Sequence, residues 1–201
     1  MRIVTYFTEG IYEQIANNLI IPSAKKVGVD LFKIKIPSKH TWKKNTSMKA
    51  SCILSAIEEL NDDVVMIDAD AEFVQYPSLF TKILPEYDVA YHNLDVDWFW
   101  RGTKGTKRQL ATGTIMFRNS PKCKKLLTEW IIENDRNPEV LEQKNLENLI
   151  NREYSKNNLL IYQLPIEYLA MTHKDGNVPS FIKDPVIIHR QASRTTKRME
   201  L

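Results

Sequence analysis

Residues 62–73 read DDVVMIDADAEF, an apolar strand that runs directly into an Asp-x-Asp sequence. Side chains of an extended segment alternate between its two faces, so Asp68 and Asp70 point to the same side and converge on one hard cation or its ligand. The apolar run Val64 to Ile67 is typical of a fully buried central strand. We therefore expect the two carboxylates at the carboxyl edge of a sheet, where open α/β folds bind ligands.

The composition indicates a single globular domain. The chain has 201 residues, of which 43% are hydrophobic and 26% are charged, which excludes a disordered or fibrous protein. Its net charge is only +3, but lysines cluster between residues 33 and 49, and basic side chains cluster between residues 190 and 198. Such clusters suit phosphates or a polyanion, although the simpler interpretation is a solvated basic face.

The cysteines and the N-terminus predict a soluble, cytoplasmic protein. Cys52 and Cys123 are far apart and have no metal-ligand spacing, which favours reduced thiols. The apolar N-terminal segment is too short for a signal peptide, and no run approaches the ~18 apolar residues of a membrane span. Basic and aromatic residues do not interleave in a recognition motif, so we expect no nucleic-acid partner.

Alternating strand and helix patterns predict an α/β fold with a mostly parallel central sheet flanked by helices. The predicted strands are Ile3 to Thr8, Asp30 to Ile36, Val64 to Asp68, Asp88 to His92, Thr112 to Arg118, Leu159 to Leu164 and Pro185 to His189. Helical spacing of apolar residues covers 48–60 and 126–131. Ser120 and Asn137, each directly before a proline, predict two further helix starts. Residues 93–110 have no clear period and predict a long functional loop or lid.

Two later segments carry side chains that suit the same site. Residues 187–194 read IIHRQASR, a strand that ends in His189, whose neutral imidazole can complete a metal shell. The Ser193 hydroxyl and the Arg194 guanidinium suit the oxygens of a diphosphate. Residues 110–121 read LATGTIMFRNSP, in which Gly113 allows close backbone approach before a buried strand. Alone, such a histidine is more often structural, and such a glycine indicates only packing.

Five short motifs follow one another along nearly the whole chain. They are Asp68-Ala69-Asp70, Thr112-Gly113-Thr114, Glu142-Gln143 at a helix start, Leu164-Pro165-x-Glu167-Tyr168 and His189-x-Gln191-Ala192-Ser193-Arg194. In this order and spacing they resemble the compact nucleotide-diphospho-sugar glycosyltransferases of the GT-A fold. The resemblance implies one Rossmann-like GT-A domain over residues 1–201, as a whole protein or as one domain of a longer transferase.

The resemblance implies a donor site that holds Mn²⁺ or Mg²⁺. Asp70 would be the main carboxylate ligand, Asp68 would contact the metal or the ribose, and His189 would be a third ligand. The nucleotide and its diphosphate would be bordered by Thr5, Tyr6, Phe7, Thr8, Lys49, Ala69, Ser193 and Arg194. The simpler alternatives are that Tyr6 and Phe7 are core aromatics and that Lys49 is an ordinary surface lysine.

The implied reaction moves a hexose-type sugar from a nucleotide diphosphate, foremost a UDP-sugar such as UDP-glucose, to a glycan or other hydroxyl acceptor. A divalent cation and an arginine would stabilise the charge that grows on the departing nucleotide. An inverting enzyme also needs a carboxylate base near the acceptor hydroxyl. The candidates are Asp97, which we favour, Asp95 and Glu142, although many relatives have aspartate at the last position. The stereochemical outcome stays open.

Tryptophans in the region without clear period are candidates for the acceptor side. Trp98 and Trp100 would stack on a sugar ring or fill a small satellite core. Further candidates for contacts with the sugar or the acceptor are Thr112, Gly113, Glu142 and Gln143.

Two other classes compete with this interpretation. Haloacid-dehalogenase-like phosphatases also place Asp-x-Asp after an apolar strand, but their motif expects threonine or valine where this chain has Glu72, and it lies near the start of the domain. The non-enzyme alternative is a nucleotide-sugar or glycan-binding module that has lost turnover. The combination of Asp68, Asp70, His189 and Arg194 argues against that loss.

Overall fold

The computed structural model describes residues 1–102, 105, 107–157, 159–192 and 194. Their strands form two sheets. The larger sheet has the spatial order β2-β1-β3-β6-β5-β7. Its strands are β1 (Arg2–Thr8), β2 (Leu31–Ile36), β3 (Val64–Ile67), β5 (Val89–Asp95), β6 (Arg108–Phe117) and β7 (Ile161–Gln163). The smaller sheet has the order β4-β9-β8 and consists of β4 (Ala71–Phe73), β8 (Ala170–Met171) and β9 (Ile187–His189).

The larger sheet is mostly parallel, as predicted. Strand β1 pairs in parallel with β2 and β3, and β5 pairs in parallel with β7. Only β6 runs antiparallel to its two neighbours, β3 and β5. Five of the six strands therefore point the same way, and the carboxyl ends of β1 and β3 lie side by side.

Helices cover both faces of the larger sheet. They are α1 (Ile11–Asn18), α2 (Ile20–Val27), α3 (Trp42–Ser47), α4 (Lys49–Leu60), α5 (Val96–Arg101), α6 (Pro121–Arg136) and α7 (Glu142–Asn157), with short 3-10 helices at Ser78–Lys82 and Ile166–Leu169. Successive β3 side chains enter different apolar clusters: Val64 and Met66 pack with α4 and α6, whereas Val65 and Ile67 pack with α2. This confirms that β3 is a central strand. None of the helices in the described part of the chain is long and apolar enough to cross a membrane.

One predicted helix start is confirmed, and the other is wrong. Ser120 precedes Pro121 at the start of α6, and its Oγ accepts a hydrogen bond from the Cys123 backbone N–H at 3.2 Å. Asn137 instead ends α6: its backbone N–H makes the last bond of the helix, to the Glu133 carbonyl at 2.9 Å, and Pro138 follows. A residue before proline is driven out of the helical region, so Asn-Pro marks a boundary of either kind. The next helix begins at Glu142, where the sequence predicts it.

The predicted long loop over residues 93–110 is largely regular structure. After a register shift between Tyr91 and His92, β5 continues to Asp95 and pairs that residue with Arg108 of β6. The intervening turn contains α5, and residues 103, 104 and 106 lie outside the described part. The prediction failed because the ladder to β6 supplies the backbone hydrogen bonds, which no local sequence period reveals.

Removal of the α6 cap gives a modest, specific loss of stability. We expect Ser120→Ala to lower the free energy of unfolding by about 1 kcal/mol, because the Cys123 N–H loses its acceptor. Urea denaturation followed by circular dichroism measures this change. Ser120→Asp keeps an acceptor at this position and is expected to retain most of the stability, and an equal loss in both variants would contradict a capping role.

Candidate active site

A cleft of about 230 Å³ opens at the carboxyl ends of β1 and β3. From the predicted donor group it brings together Tyr6, Phe7, Thr8, Lys49, Asp68, Ala69, Asp70 and His189. From the predicted sugar and acceptor group it includes Thr112, Gly113, Glu142 and Gln143. Tyr6 and Phe7 are also largely buried, so they are core aromatics that at the same time border the cleft.

Asp68, Asp70 and His189 form a cluster that offers three ligand atoms within 4.8 Å of one another. Asp68 follows β3 and Asp70 precedes β4. Strand β4 pairs antiparallel with β9, which places Ala71 opposite His189 and so brings the imidazole beside the Asp-x-Asp segment. The pairing of two short strands from distant parts of the sequence therefore completes the cluster.

Electrostatics within the cluster favour a bound cation. Burial, together with the nearby Asp68 carboxylate, raises the pKa of Asp70 to about 6, although the Ala192 backbone N–H donates to Asp70 Oδ2 at 2.8 Å. A divalent cation relieves this repulsion between two carboxylates. Oxygen and imidazole ligands in one small cluster fit the donor set of a divalent metal site.

The imidazole of His189 is buried and neutral. Burial lowers its pKa to about 4, and its Nε2 lies 2.9 Å from Thr114 Oγ1, whereas Nδ1 lies 4.0 Å from Asp70 Oδ1. When Nε2 carries the proton and donates it to the Thr114 hydroxyl, the Nδ1 lone pair points to the side of Asp70 as a metal ligand. Thr114 is therefore a residue that orients the imidazole.

Lys49 is buried at the centre of the cleft wall. Only 2% of it is exposed, which contradicts the alternative of an ordinary surface lysine. Its Nζ lies 2.7 Å from Asp68 Oδ1 and 3.3 Å from Glu142 Oε1, and it donates to the carbonyl and hydroxyl of Thr112 at 3.1 and 3.2 Å. Burial alone would lower the pKa of Lys49, but the two carboxylates raise it above its usual value. The ammonium therefore ties the metal-site carboxylate Asp68 to Glu142.

Glu142 occupies the first position of α7 and is 8% exposed. Its Oε1 accepts a hydrogen bond from Thr112 Oγ1 at 3.1 Å and faces Lys49, whereas its buried Oε2 has no hydrogen-bond partner among the described residues. Burial raises its pKa, and Lys49 opposes this effect. The indole N–H of Trp130 donates to the Glu142 carbonyl at 2.8 Å, which fixes the start of the helix.

Gly113 lets β6 pass close to the imidazole of the metal-ligand cluster. A Cβ at this position would lie 3.0 Å from His189 Cε1 and 3.1 Å from His189 Nδ1. We therefore expect Gly113→Ala to displace the imidazole by a few tenths of an ångström and to weaken Mn²⁺ binding by about 10-fold, the effect of disturbing a ligand's support. Isothermal titration with Mn²⁺ measures the change. Unchanged Mn²⁺ affinity would mean that the close contact serves packing alone.

Several predicted site residues lie away from the cleft. Asp95 forms an ion pair with Arg108 at 2.7 Å across the β5–β6 ladder. Asp97 lies in the first turn of α5 and approaches Gly105. Within the part of the chain that the structure describes, neither aspartate lines the cleft. Thr5 is fully buried inside β1, one residue before the cleft wall begins.

Two predicted residues, Arg194 and Trp100, contact each other, and neither lines the cleft formed by the described residues. The Arg194 guanidinium carbon lies 4.3 Å from the centroid of the Trp100 ring. Trp100 also packs against Phe99 and His173 but is 38% exposed, so it lies at the surface beside the small apolar cluster that contains Phe99. Trp98 belongs to α5, but its side chain lies outside the described part, as does the whole of Ser193.

The cleft also contains residues to which the sequence analysis assigned no role of their own. They are Tyr12, Trp42, Asn45, Thr46, Leu141, Ala111, Leu169, Met171 and Gln191. Trp42 begins α3, directly after Thr41, whose hydroxyl accepts from the Lys44 N–H at 3.3 Å. Thr41 is a residue type that often caps helices and could have predicted the start of α3. The lysines around it instead indicated a solvated basic segment.

Solved structures with a similar fold include three glycosyltransferases. A glycosyltransferase involved in the glycosylation of the major capsid of PBCV-1 has a TM-score of 0.66 and 15% identity, with 100% of both chains covered. Mouse xyloside xylosyltransferase 1 has a TM-score of 0.54 and 9% identity over 96% of this chain and 98% of its own. The bifunctional glycosyltransferase WbbM has a TM-score of 0.56 and 12% identity over 94% of this chain and 45% of its own. These similarities show the fold.

Sequence comparison identifies the family. A family model described as nucleotide-diphospho-sugar transferase matches residues 21–201, and the chain belongs to that family of glycosyltransferases. No curated protein matches the sequence. Membership implies a nucleotide-sugar donor and a sugar acceptor, and neither the family nor the fold supports the phosphatase alternative.

Proposed function

We propose that this protein is a metal-dependent glycosyltransferase that moves a hexose-type sugar from a UDP-sugar, such as UDP-glucose, to a hydroxyl group of a glycan or other acceptor. The observation that carries the proposal is the cluster of Asp68, Asp70 and His189 at the wall of the cleft. A family of nucleotide-diphospho-sugar transferases needs a site for a diphosphate, and this cluster supplies the ligands for a cation that binds one.

On the donor side, each group has a distinct task. Asp68, Asp70 and His189 would hold Mn²⁺ or Mg²⁺, and the cation, when bound, supplies positive charge where the departing diphosphate becomes more negative. Residues 6–8 at the end of β1 would border the nucleoside. The four contacts of Lys49 with protein oxygens support a role in positioning Asp68 rather than the predicted direct contact with the nucleotide.

On the acceptor side, the geometry favours Glu142 over the sequence-based preference for Asp97. Glu142 lines the cleft, and its Oε2 has no hydrogen-bond partner among the residues that the structure describes, whereas Asp95 is paired with Arg108. Burial raises the pKa of Glu142, which suits a group that accepts a proton from an attacking hydroxyl. We therefore place Glu142 first among the candidate bases of an inverting reaction.

We also propose that residues 1–201 form one domain and that the protein is located in the cytoplasm. The similarity to the capsid-glycosylating enzyme covers both chains in full, which supports one GT-A domain over residues 1–201. Cys52 and Cys123 are both free and buried, in keeping with a reducing compartment.

Calorimetric titration with UDP, GDP and ADP, each with and without Mn²⁺, tests the proposal. We expect UDP to bind only in the presence of Mn²⁺ and to bind more tightly than GDP or ADP. Mg²⁺ in place of Mn²⁺ tests the choice of ion. Binding of UDP without sugar transfer to any acceptor would favour the binding-module alternative, and no nucleotide binding at all would refute the proposed donor site.

A further inference from the structure

We propose that Trp42 and Leu141 form the acceptor subsite, in which a pyranose ring stacks on the Trp42 indole while one of its hydroxyls donates to Glu142 Oε2. This inference rests on the proposed function. It assigns the acceptor side of the cleft to an aromatic residue other than the two tryptophans suggested by the sequence.

The orientation of α3 places Trp42 at the acceptor end of the cleft. At the C-terminal end of this helix, the Tyr6 hydroxyl donates to the Asn45 and Thr46 carbonyls, each at 3.3 Å, so this end lies against β1 on the expected nucleoside side. Trp42 is at the opposite end of α3. With a rise of about 1.5 Å per residue, the two ends are separated by roughly 6 Å.

Two hydrogen bonds from Lys43 join the Trp42 end of α3 to the segment that precedes α7. Lys43 Nζ donates to the Glu139 carbonyl at 3.0 Å and lies 2.9 Å from Glu139 Oε2. Two residues later, Leu141 lines the cleft with 42% of its surface exposed. Contacts run from Asp68 through Lys49 to Glu142, and the chain from Glu142 back through Leu141 leads to Glu139, which Lys43 joins to the Trp42 end of α3.

The free oxygen of Glu142 points to a ligand with a hydroxyl group. Oε1 already faces Lys49 and Thr112, whereas the buried Oε2 has no hydrogen-bond partner within the described residues. A buried acceptor without a donor is costly, so a ligand that supplies an O–H gains the whole interaction on binding. Glu142 and its sequence neighbour Leu141 both line the cleft.

A pyranose matches both parts of this subsite. One face of the ring presents C–H groups that pack on a flat aromatic surface, and its rim presents hydroxyls that donate to a carboxylate. Gln143 adds an amide that both donates and accepts. An acceptor hydroxyl held at Glu142 is close to Asp68, because Lys49 contacts both carboxylates, at 2.7 and 3.3 Å. The attacking group and the sugar donor would therefore meet between the metal-ligand cluster and Trp42.

Saturation-transfer NMR with methyl glycosides tests the inference. The probes are the methyl glycosides of glucose, galactose, mannose and xylose, offered to the full chain with UDP and Mn²⁺. We expect at least one glycoside to receive saturation at its ring protons, and we expect Trp42→Ala to weaken its binding by about 10-fold while Trp42→Phe restores most of it. Tyr76→Ala, which removes an exposed aromatic ring outside the cleft, is the matched control and should bind as the wild type does.

Three results would overturn the inference. They are equal glycoside binding by the wild type and Trp42→Ala, loss of glycoside binding in Trp100→Ala instead, and absence of binding by every glycoside. Calorimetry of the same variants with UDP separates this inference from the proposed function. A loss of UDP affinity in Trp42→Ala would assign the indole to the nucleoside, whereas failure of the wild type to bind UDP would count against the donor site and not against the Trp42 subsite.

Discussion

Asp70→Asn is expected to weaken Mn²⁺-dependent binding of UDP by at least about 100-fold, more than the loss of a residue that only supports a ligand. The substitution replaces one carboxylate of the cluster with a neutral amide, which is a much poorer partner for a hard divalent cation. Without the cation, no metal charge offsets the repulsion between the diphosphate and the Asp68 carboxylate. Calorimetric titration with UDP in Mn²⁺, and with Mn²⁺ alone, measures both parts of the effect.

The fold is expected to survive this substitution, which makes the result interpretable. An asparagine oxygen can still accept the hydrogen bond from the Ala192 N–H, and the repulsion between Asp68 and Asp70 is removed. The melting temperature without metal should therefore equal or exceed that of the wild type. Asp184→Asn makes the same chemical change at an exposed position and is the control. If Asp70→Asn still binds UDP as tightly as the wild type in the presence of metal, the cluster of Asp68, Asp70 and His189 is not the metal site.

Local sequence patterns predicted the parts of the site that depend on one strand or one helix. The Asp-x-Asp segment was recognisable because a strand buried on both faces has a continuous apolar run, here Val64 to Ile67, and the ligands follow where it ends. The Ser120 cap and the helix start at Glu142 were predictable for the same reason. Each of these features involves residues within a few positions of one another.

Local sequence patterns could not predict the contacts between distant segments of the chain. The burial of Lys49 depends on Asp68 and Glu142 converging from two other elements, and nothing near Lys49 in the sequence distinguishes it from the lysines before it. The tryptophans illustrate the same limit. Absence of a clear period suggested Trp100 for a sugar contact, but tertiary packing places it under Arg194 and brings Trp42 into the cleft.

Lys49→Met is expected to lower the free energy of unfolding by about 3 kcal/mol or more, which is the usual cost when one partner of a buried ion pair is removed. Methionine fills a similar volume, so the loss reflects charge rather than a cavity. The Glu142 carboxylate, 8% exposed, would keep only its hydrogen bond from Thr112 and would face Asp68 with no cation between them. Urea denaturation in a metal-free buffer measures the change.

A second substitution separates charge from packing at this position. In the Lys49→Met background, Glu142→Gln removes the stranded charge, so the double variant should recover at least about 1 kcal/mol relative to Lys49→Met, a positive coupling between contacting residues. Lys44→Met, at an exposed position of α3 with no ion pair within the described residues, should stay within about 0.5 kcal/mol of the wild type. Strictly additive effects of Lys49→Met and Glu142→Gln would show that the lysine stabilises the cleft by packing alone. Coupling would instead mean that Lys49 holds the metal-site and acceptor-side carboxylates together before any ligand binds.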